Sequence, residues 1–149
     1  MKKNIVITFV LILALTIFGL SFFLSGNLKP ELKSLKNDPI VNMTYDNAEL
    51  IRKFEKPEGK SLGKPLYATI LLRYKIINQE ESEQVFNNAI KNAENVGWKR
   101  DLEWKGSAFS AEFEKEMKTG KAKLLIILAN DDYSDKNSKK ELSVSLDHR

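Results

Sequence analysis

The hydrophobic and polar positions change character along the chain. Ile5 to Leu24 is an unbroken apolar run, IVITFVLILALTIFGLSFFL, whose only side-chain polar atoms are the hydroxyls of Thr8, Thr16 and Ser21. From Asn27 to Asp46, scattered leucines stand among charges, interrupted by Pro30 and Pro39. From Ala48 onward the apolar positions fall mostly into period two, with one stretch in which they recur every three or four residues. Alternate residues share a face of a strand and residues three or four apart share a face of a helix, so each pattern predicts a different element.

The helix is the clearest of these. Asn78 stands at a capping position, and Glu81 three residues later fits a capping box. Glu80, Glu81 and Glu83 put negative charge where the helix dipole is positive. Val85, Phe86, Ala89, Ile90, Ala93 and Val96 form one apolar stripe, and Gln84, Asn87, Asn88, Lys91, Asn92, Glu94 and Asn95 fall off it. Gly97 suits the left-handed position that closes a helix.

Strands are expected around it. Ala48 to Glu55 reads as one, before a loop from Pro57 to Pro65. In the next, Ala68, Ile70, Leu72, Tyr74 and Ile76 oppose Thr69, Arg73 and Lys75. After the helix, Trp98, Leu102 and Trp104 alternate with Lys99, Asp101 and Glu103, a spacing that sends both tryptophans to the core rather than to a recognition patch. Phe109, Ala111, Phe113 and Met117 alternate with Ser110, Glu112, Glu114 and Glu116, and Leu142, Val144 and Leu146 with Ser143, Ser145 and Asp147. Lys121 to Ala129 is apolar on both faces from Leu124, which predicts a central strand with partial cover on its second side. Lys105-Gly106-Ser107 and Lys118-Thr119-Gly120 read as short turns. Together these predict an α+β two-layer domain over residues 47–149: a mainly antiparallel sheet of five or six strands with one helix packed on it. A connection through the helix is able to leave the strands on either side of it parallel, as a crossover.

The apolar run adds a membrane address. Twenty helical residues span about 30 Å, the thickness of a bilayer's hydrocarbon core. Ile5, Leu11, Leu15, Phe18 and Leu24 mark the expected membrane-spanning helix, and the three hydroxyls can bond back to their own backbone. Residues 1–26 therefore read as a single-pass anchor or uncleaved signal. The run is longer than a cleavable signal needs and has no Ala-x-Ala pattern, although a cut before Asn27 is the alternative. Leu24-Ser25-Gly26 resembles the box preceding the lipid-modified cysteine of bacterial lipoproteins, but residue 27 is Asn, so that anchoring chemistry is excluded. Lys2 and Lys3 lie closer to the run than Lys29, Lys33 and Lys36, which predicts the N-terminus inside and the domain outside. Residues 27–46 read as a stalk or lead-in, in which Leu28, Leu32 and Leu35 permit a short amphipathic turn after Pro30.

Composition alters this picture in two ways. The net charge of +4 suggests a nucleic-acid partner until it is divided. Lys2 and Lys3 precede the apolar run and all 20 acidic residues follow it, so the remainder carries 22 basic against 20 acidic groups and no nucleic acid is expected. The chain has no cysteine, which removes disulfides, thiolate metal sites and thiol nucleophiles. A Lys-rich, disulfide-free chain with this leader resembles an exported bacterial protein of the Gram-positive type. In that setting the sequon Asn42-Met43-Thr44 carries no weight.

Candidate chemistry is sparse. The single histidine, His148, is the second-last residue, where chain ends usually fray, and is expected to be structural. Gly59 and Gly63 lie in a loop with Lys56, Lys60 and Lys64, but that loop leads into a strand, whereas a phosphate cradle opens a helix. Glu112, Glu114 and Glu116 share one strand face, the ordinary pattern of a solvated sheet. Counted from Asn130, residues Asp132, Ser134, Ser138 and Glu141 take positions of a calcium-loop template, with Asp131 beside them. Asn at the first position, Asp135 where glycine is needed and flanking strands count against it, leaving Asp131, Asp132 and Glu141 as weak metal candidates only. No catalytic residue and no cofactor are expected. The resulting expectation is a membrane-anchored, extracytoplasmic, non-catalytic module of a bacterial cell envelope. It would bind the bilayer through residues 5–24 and a protein partner through its domain, as a complex subunit or an immunity- or exclusion-type factor. The alternatives are a small carboxylate- or metal-assisted hydrolase of wall or peptide material and a small-ligand-binding domain.

Overall fold

The computed structural model describes residues 29–101, 109–130 and 139–148. The expected anchor, Trp104, the turn at Lys105-Gly106-Ser107, and Asp131 and Asp132 lie outside the described residues. Among the described residues no helix is long and apolar enough to cross a membrane.

Six strands form one sheet: β1 (Ala48–Lys56), β4 (Thr69–Ile76), β5 (Lys99–Arg100), β6 (Ser110–Met117), β7 (Gly120–Asn130) and β8 (Lys140–His148). Their order is β1-β4-β8-β7-β6-β5, and every pairing is antiparallel. The alternation leaves β4 and β5 running in the same direction, with β8, β7 and β6 between them. The helical connection thus crosses three strands before the chain rejoins the sheet. β6 and β7 meet through the expected turn, with Met117 opposite Gly120 and a φ of 136° at that glycine.

The connection is a 3-10 turn, Gln79–Glu81, followed by the helix here labelled α2, Ser82–Asn95. Asn78 accepts a hydrogen bond from the Glu80 amide (3.2 Å) and donates its own side-chain amide to Glu81 (2.8 Å). The capping residues are those the sequence offers, but they cap the 3-10 turn. At the other end Trp98 N–H bonds to the Ala93 carbonyl and Gly97 N–H to that of Glu94, the double bond of a Schellman cap, with Gly97 at φ +90°. Val85, Phe86, Ala89, Ile90 and Ala93 are buried, as their spacing predicts.

The lead-in does not stand off as a stalk. A preceding helix, α1 (Pro30–Lys36), and a 3-10 turn, Pro39–Asn42, pack on the same sheet face as α2, with α1 over β4 and β8. Leu32, Leu35, Ile40, Val41 and Tyr45 are buried in the common core with Ile70, Leu72, Phe113, Leu124, Ile126 and Val144. The helical layer therefore holds two helices, and the domain begins before residue 47. Tyr45 and Tyr74 meet edge to face at 5.0 Å, and the Tyr74 hydroxyl donates to the Met43 carbonyl (3.1 Å). Burial pushes the Tyr74 phenol up to about 12, and burial together with Tyr74 raises that of Tyr45 further.

The segment expected as a plain loop holds a small hairpin, β2 (Gly59–Ser61) with β3 (Lys64–Leu66), outside the main sheet. His148, expected to fray, is buried at the end of β8, with its Nε2 2.7 Å from the Thr119 hydroxyl. β8 lies between β4 and β7 and is bonded on both sides, which holds the chain end in place.

Candidate functional site

One face of the sheet carries both helices; among the described residues nothing covers the other. Its side chains form rows set by strand register. The middle row runs Phe54, Leu71, Ser145, Leu125 and Glu112 across β1, β4, β8, β7 and β6. The next row places Arg52 beside Arg73, then Ser143, Ile127 and Ser110. A bulge between Leu50 and Arg52 turns Phe54 onto this face, where it is 46% exposed. Leu71, Leu125 and Ile127 are half-buried. The serines of β8 part the apolar positions into two patches two strands apart, a distance of about 10 Å.

Charged side chains frame these patches, and many are paired. Arg73 bonds Glu141, and Lys123 bonds Glu112 and lies 3.6 Å from Glu114. Thr69 donates to Asp147 at 2.7 Å. On the helix-covered side instead, in register with Ile70, Glu55 of β1 binds Lys36 (2.5 Å) and Lys53 (3.3 Å), and the Lys36 hydrogen bond is the largest cause holding its carboxyl below the usual range. Glu141, the one described residue of the calcium-like triplet, is therefore ion-paired across β4 and β8. Glu112 and Glu114 share the face their spacing predicts and both lean on Lys123 of the neighbouring strand. Each such surface pair adds little stability on its own but balances charge around the apolar positions. Among the described residues no three His, Asp or Glu side chains come together as metal ligands.

Two side chains that carry no motif, Asp38 and Lys115, build a polar cluster among the described residues. Asp38, 5% exposed, accepts from the Ile40 amide (3.1 Å) and Trp98 Nε1 (3.1 Å) with one oxygen and from Lys115 Nζ (2.6 Å) with the other. Lys115 also donates to the Val96 carbonyl (2.7 Å) and lies 5.5 Å from the centre of the Trp98 ring. The cluster pins the lead-in to the end of α2 and to β6, so Trp98 is a core residue. Asp38-Pro39 is a helix-start signal in the sequence, but nothing in the sequence points to Lys115 as its partner. Beside it lies a surface cleft of about 720 Å³, lined by side chains of both signs, including Lys99, Arg100, Glu114 and Glu116.

The class of protein this defines is an α+β two-layer domain with one sheet face covered by helices and the other left uncovered among the described residues. No family model, curated protein or solved structure matches the chain.

Proposed function

We propose that this chain is a membrane-anchored, extracytoplasmic, non-catalytic protein-interaction module of a bacterial cell envelope. The observation that carries the reading is the open sheet face. Leu71, Leu125 and Ile127 lie at its centre, Phe54 at its rim, and the charges around them are largely paired with one another. Apolar centres ringed by polar groups are the anatomy of protein interfaces. Residues 5–24 supply the tether, with the domain outside.

The test is photo-crosslinking in intact cells of the source bacterium, with a crosslinking residue at Phe54 or Leu125 and a control at exposed Lys91 on α2. The reading expects a discrete protein adduct from both open-face positions and none from Lys91, lost on Ile127→Asp in a chain whose circular dichroism is unchanged. Adducts that are absent, or the same from all three sites, overturn it. Protease added outside the same cells should degrade the domain, and complete protection until lysis would refute the outside orientation.

A further inference from the structure

The β2–β3 hairpin breaks two local rules at one residue. Ser61 pairs with Lys64, leaving Leu62 and Gly63 as the two-residue turn, with φ of 48° and 79°. Positive φ at both positions is the geometry that favours Asn-Gly, and a branched aliphatic residue is disfavoured there. Leu62 is also fully exposed, so no core contact offsets that conformation. A lone exposed leucine is ordinary, but one that also holds a disfavoured turn conformation is a candidate for a contact outside the chain.

The surroundings indicate what that contact is. Lys56, Lys60 and Lys64 are exposed along the hairpin and at its approach, and Lys29 binds the Glu58 carbonyl at its base (2.6 Å). None of the four is in an ion pair among the described residues, and the acidic groups alongside are Glu31 and Glu58. Tyr67, 48% exposed, lies at the same base with Lys29. Lysines, an amphipathic tyrosine and a protruding leucine are the equipment of a segment that sits in the headgroup region of a bilayer. The position fits as well. Lys29 is five residues beyond Leu24, a reach of at most about 18 Å of extended chain, so chain length alone keeps Lys29 and the hairpin base within that distance of the run's end.

We infer that the β2–β3 hairpin is a second membrane contact, in which Leu62 enters the interface and Lys56, Lys60 and Lys64 engage anionic headgroups. The inference rests on the reading of residues 5–24 as an anchor. It gives the domain a fixed attitude on the bilayer, since two separated contacts restrict the swivelling that a single tether leaves free.

The chain has no cysteine, so Leu62→Cys accepts a single environment-sensitive fluorophore. Ile77→Cys is the control: it is equally apolar and 66% exposed, but lies past the opposite end of β4. Full-length protein is reconstituted into phosphatidylcholine vesicles with and without phosphatidylglycerol, carrying nitroxide lipids as quenchers. The expected result is a blue shift and severalfold greater quenching at Leu62 than at Ile77 in the anionic vesicles. Most of it should be lost in neutral vesicles and on Lys60→Glu with Lys64→Glu. Equal quenching at the two labels, in a chain that survives an alkaline wash of the vesicles, overturns the hairpin contact and leaves the anchor standing. A chain that washes off overturns the anchor and this inference with it. Strong Leu62 quenching that ignores both lipid charge and the two Glu substitutions overturns the headgroup contact.

Discussion

Replacing Asp38 by alanine tests how the domain is closed at its N-terminal side. The side chain serves three donors from three parts of the chain: the Ile40 amide, the Trp98 indole and the Lys115 ammonium. Loss of the cap on the Pro39–Asn42 turn costs about 1 kcal/mol. The Trp98 indole, in a side chain 2% exposed, is left without its acceptor, at about 1–3 kcal/mol. Breaking a fully buried ion pair costs about 3–5 kcal/mol, but only a small part of that applies here. The Lys115 side chain is 22% exposed and keeps the Val96 carbonyl. With about 1 kcal/mol for that part the sum is about 3–5 kcal/mol, a large share of the 5–15 kcal/mol or so that holds a typical domain together. At roughly 4 °C per kcal/mol the melting temperature should fall by more than about 10 °C. The assay is thermal and urea unfolding of the detergent-solubilised chain followed by circular dichroism. Asp38→Asn keeps an acceptor for Ile40 and Trp98 and should lose only about 1–2 kcal/mol. A double-mutant cycle with Lys115→Met should give a coupling of about 1–3 kcal/mol. An Asp38→Ala change within about 0.5 kcal/mol of the parent, or zero coupling in the cycle, would refute this account of the cluster.

Phe86→Ala and Ile90→Ala should each cost about 2–5 kcal/mol in the same unfolding assay through lost burial and a residual cavity, while Asn87→Ala on the exposed side of α2 should stay within about 0.5 kcal/mol. The depressed Glu55 carboxyl contributes stability that is present above its ordinary value near 4.5 and lost as pH falls through its lower folded value. Glu55→Gln should therefore destabilise at neutral pH by less than about 1 kcal/mol, since the pair is partly exposed, and by nothing once the carboxyl is protonated; an equal effect at both pH values removes the ion pair from the account. The raised tyrosines have the opposite sign: their stabilisation is complete below pH 10 and is lost as pH rises toward 12, where unfolded chains ionise first. Phenolate absorbance that rises together with unfolding agrees with this, and Tyr74→Phe should flatten the alkaline loss, whereas early ionisation of native protein would contradict it.

What was legible beforehand depended on whether a local signal existed. α2 carried a stripe, a cap and a terminal glycine, and all three act where they were expected, apart from the 3-10 turn that moves the start of the α-helix. Strands with alternating sequence, such as β4 and β8, presented the expected faces. The double-sided apolar character of Leu124 to Ala129 correctly marks a strand away from the sheet edge, but the partial cover it also predicts on the second side is not found among the described residues. Its neighbours were not legible, because the pairing of β8 with β4 is made across more than sixty residues and leaves no local mark. α1 was only permitted by its leucines: it has seven residues and no side-chain cap, and its stability comes from burying Leu32 and Leu35 on a sheet formed much later in the chain. The hairpin has no local signal, because Gly, Lys and Pro obscure any alternation and its turn is Leu-Gly. The Asp38 cluster was invisible for a third reason, since its members lie 60 and 77 residues apart.

These features bear on one another through the direction of the strands. The end of the sheet formed by Lys56, Thr69, Asp147 and Lys123 is the end at which β1 leaves for the hairpin and β4 returns from it. If the hairpin rests on the bilayer, the strands rise from the membrane and the open face looks sideways, along the plane of the envelope. A partner meeting Leu125 and Ile127 would then be a neighbour anchored in, or lying close to, the same membrane. Confinement to one surface raises the effective concentration of such a neighbour, so a modest interface suffices for stable association. On that reading the two apolar patches, parted by the β8 serines and framed by ion pairs, would offer an interface of that modest kind. A bare domain released from its anchor would lose that advantage and associate far more weakly, although every residue of the open face would still be in place.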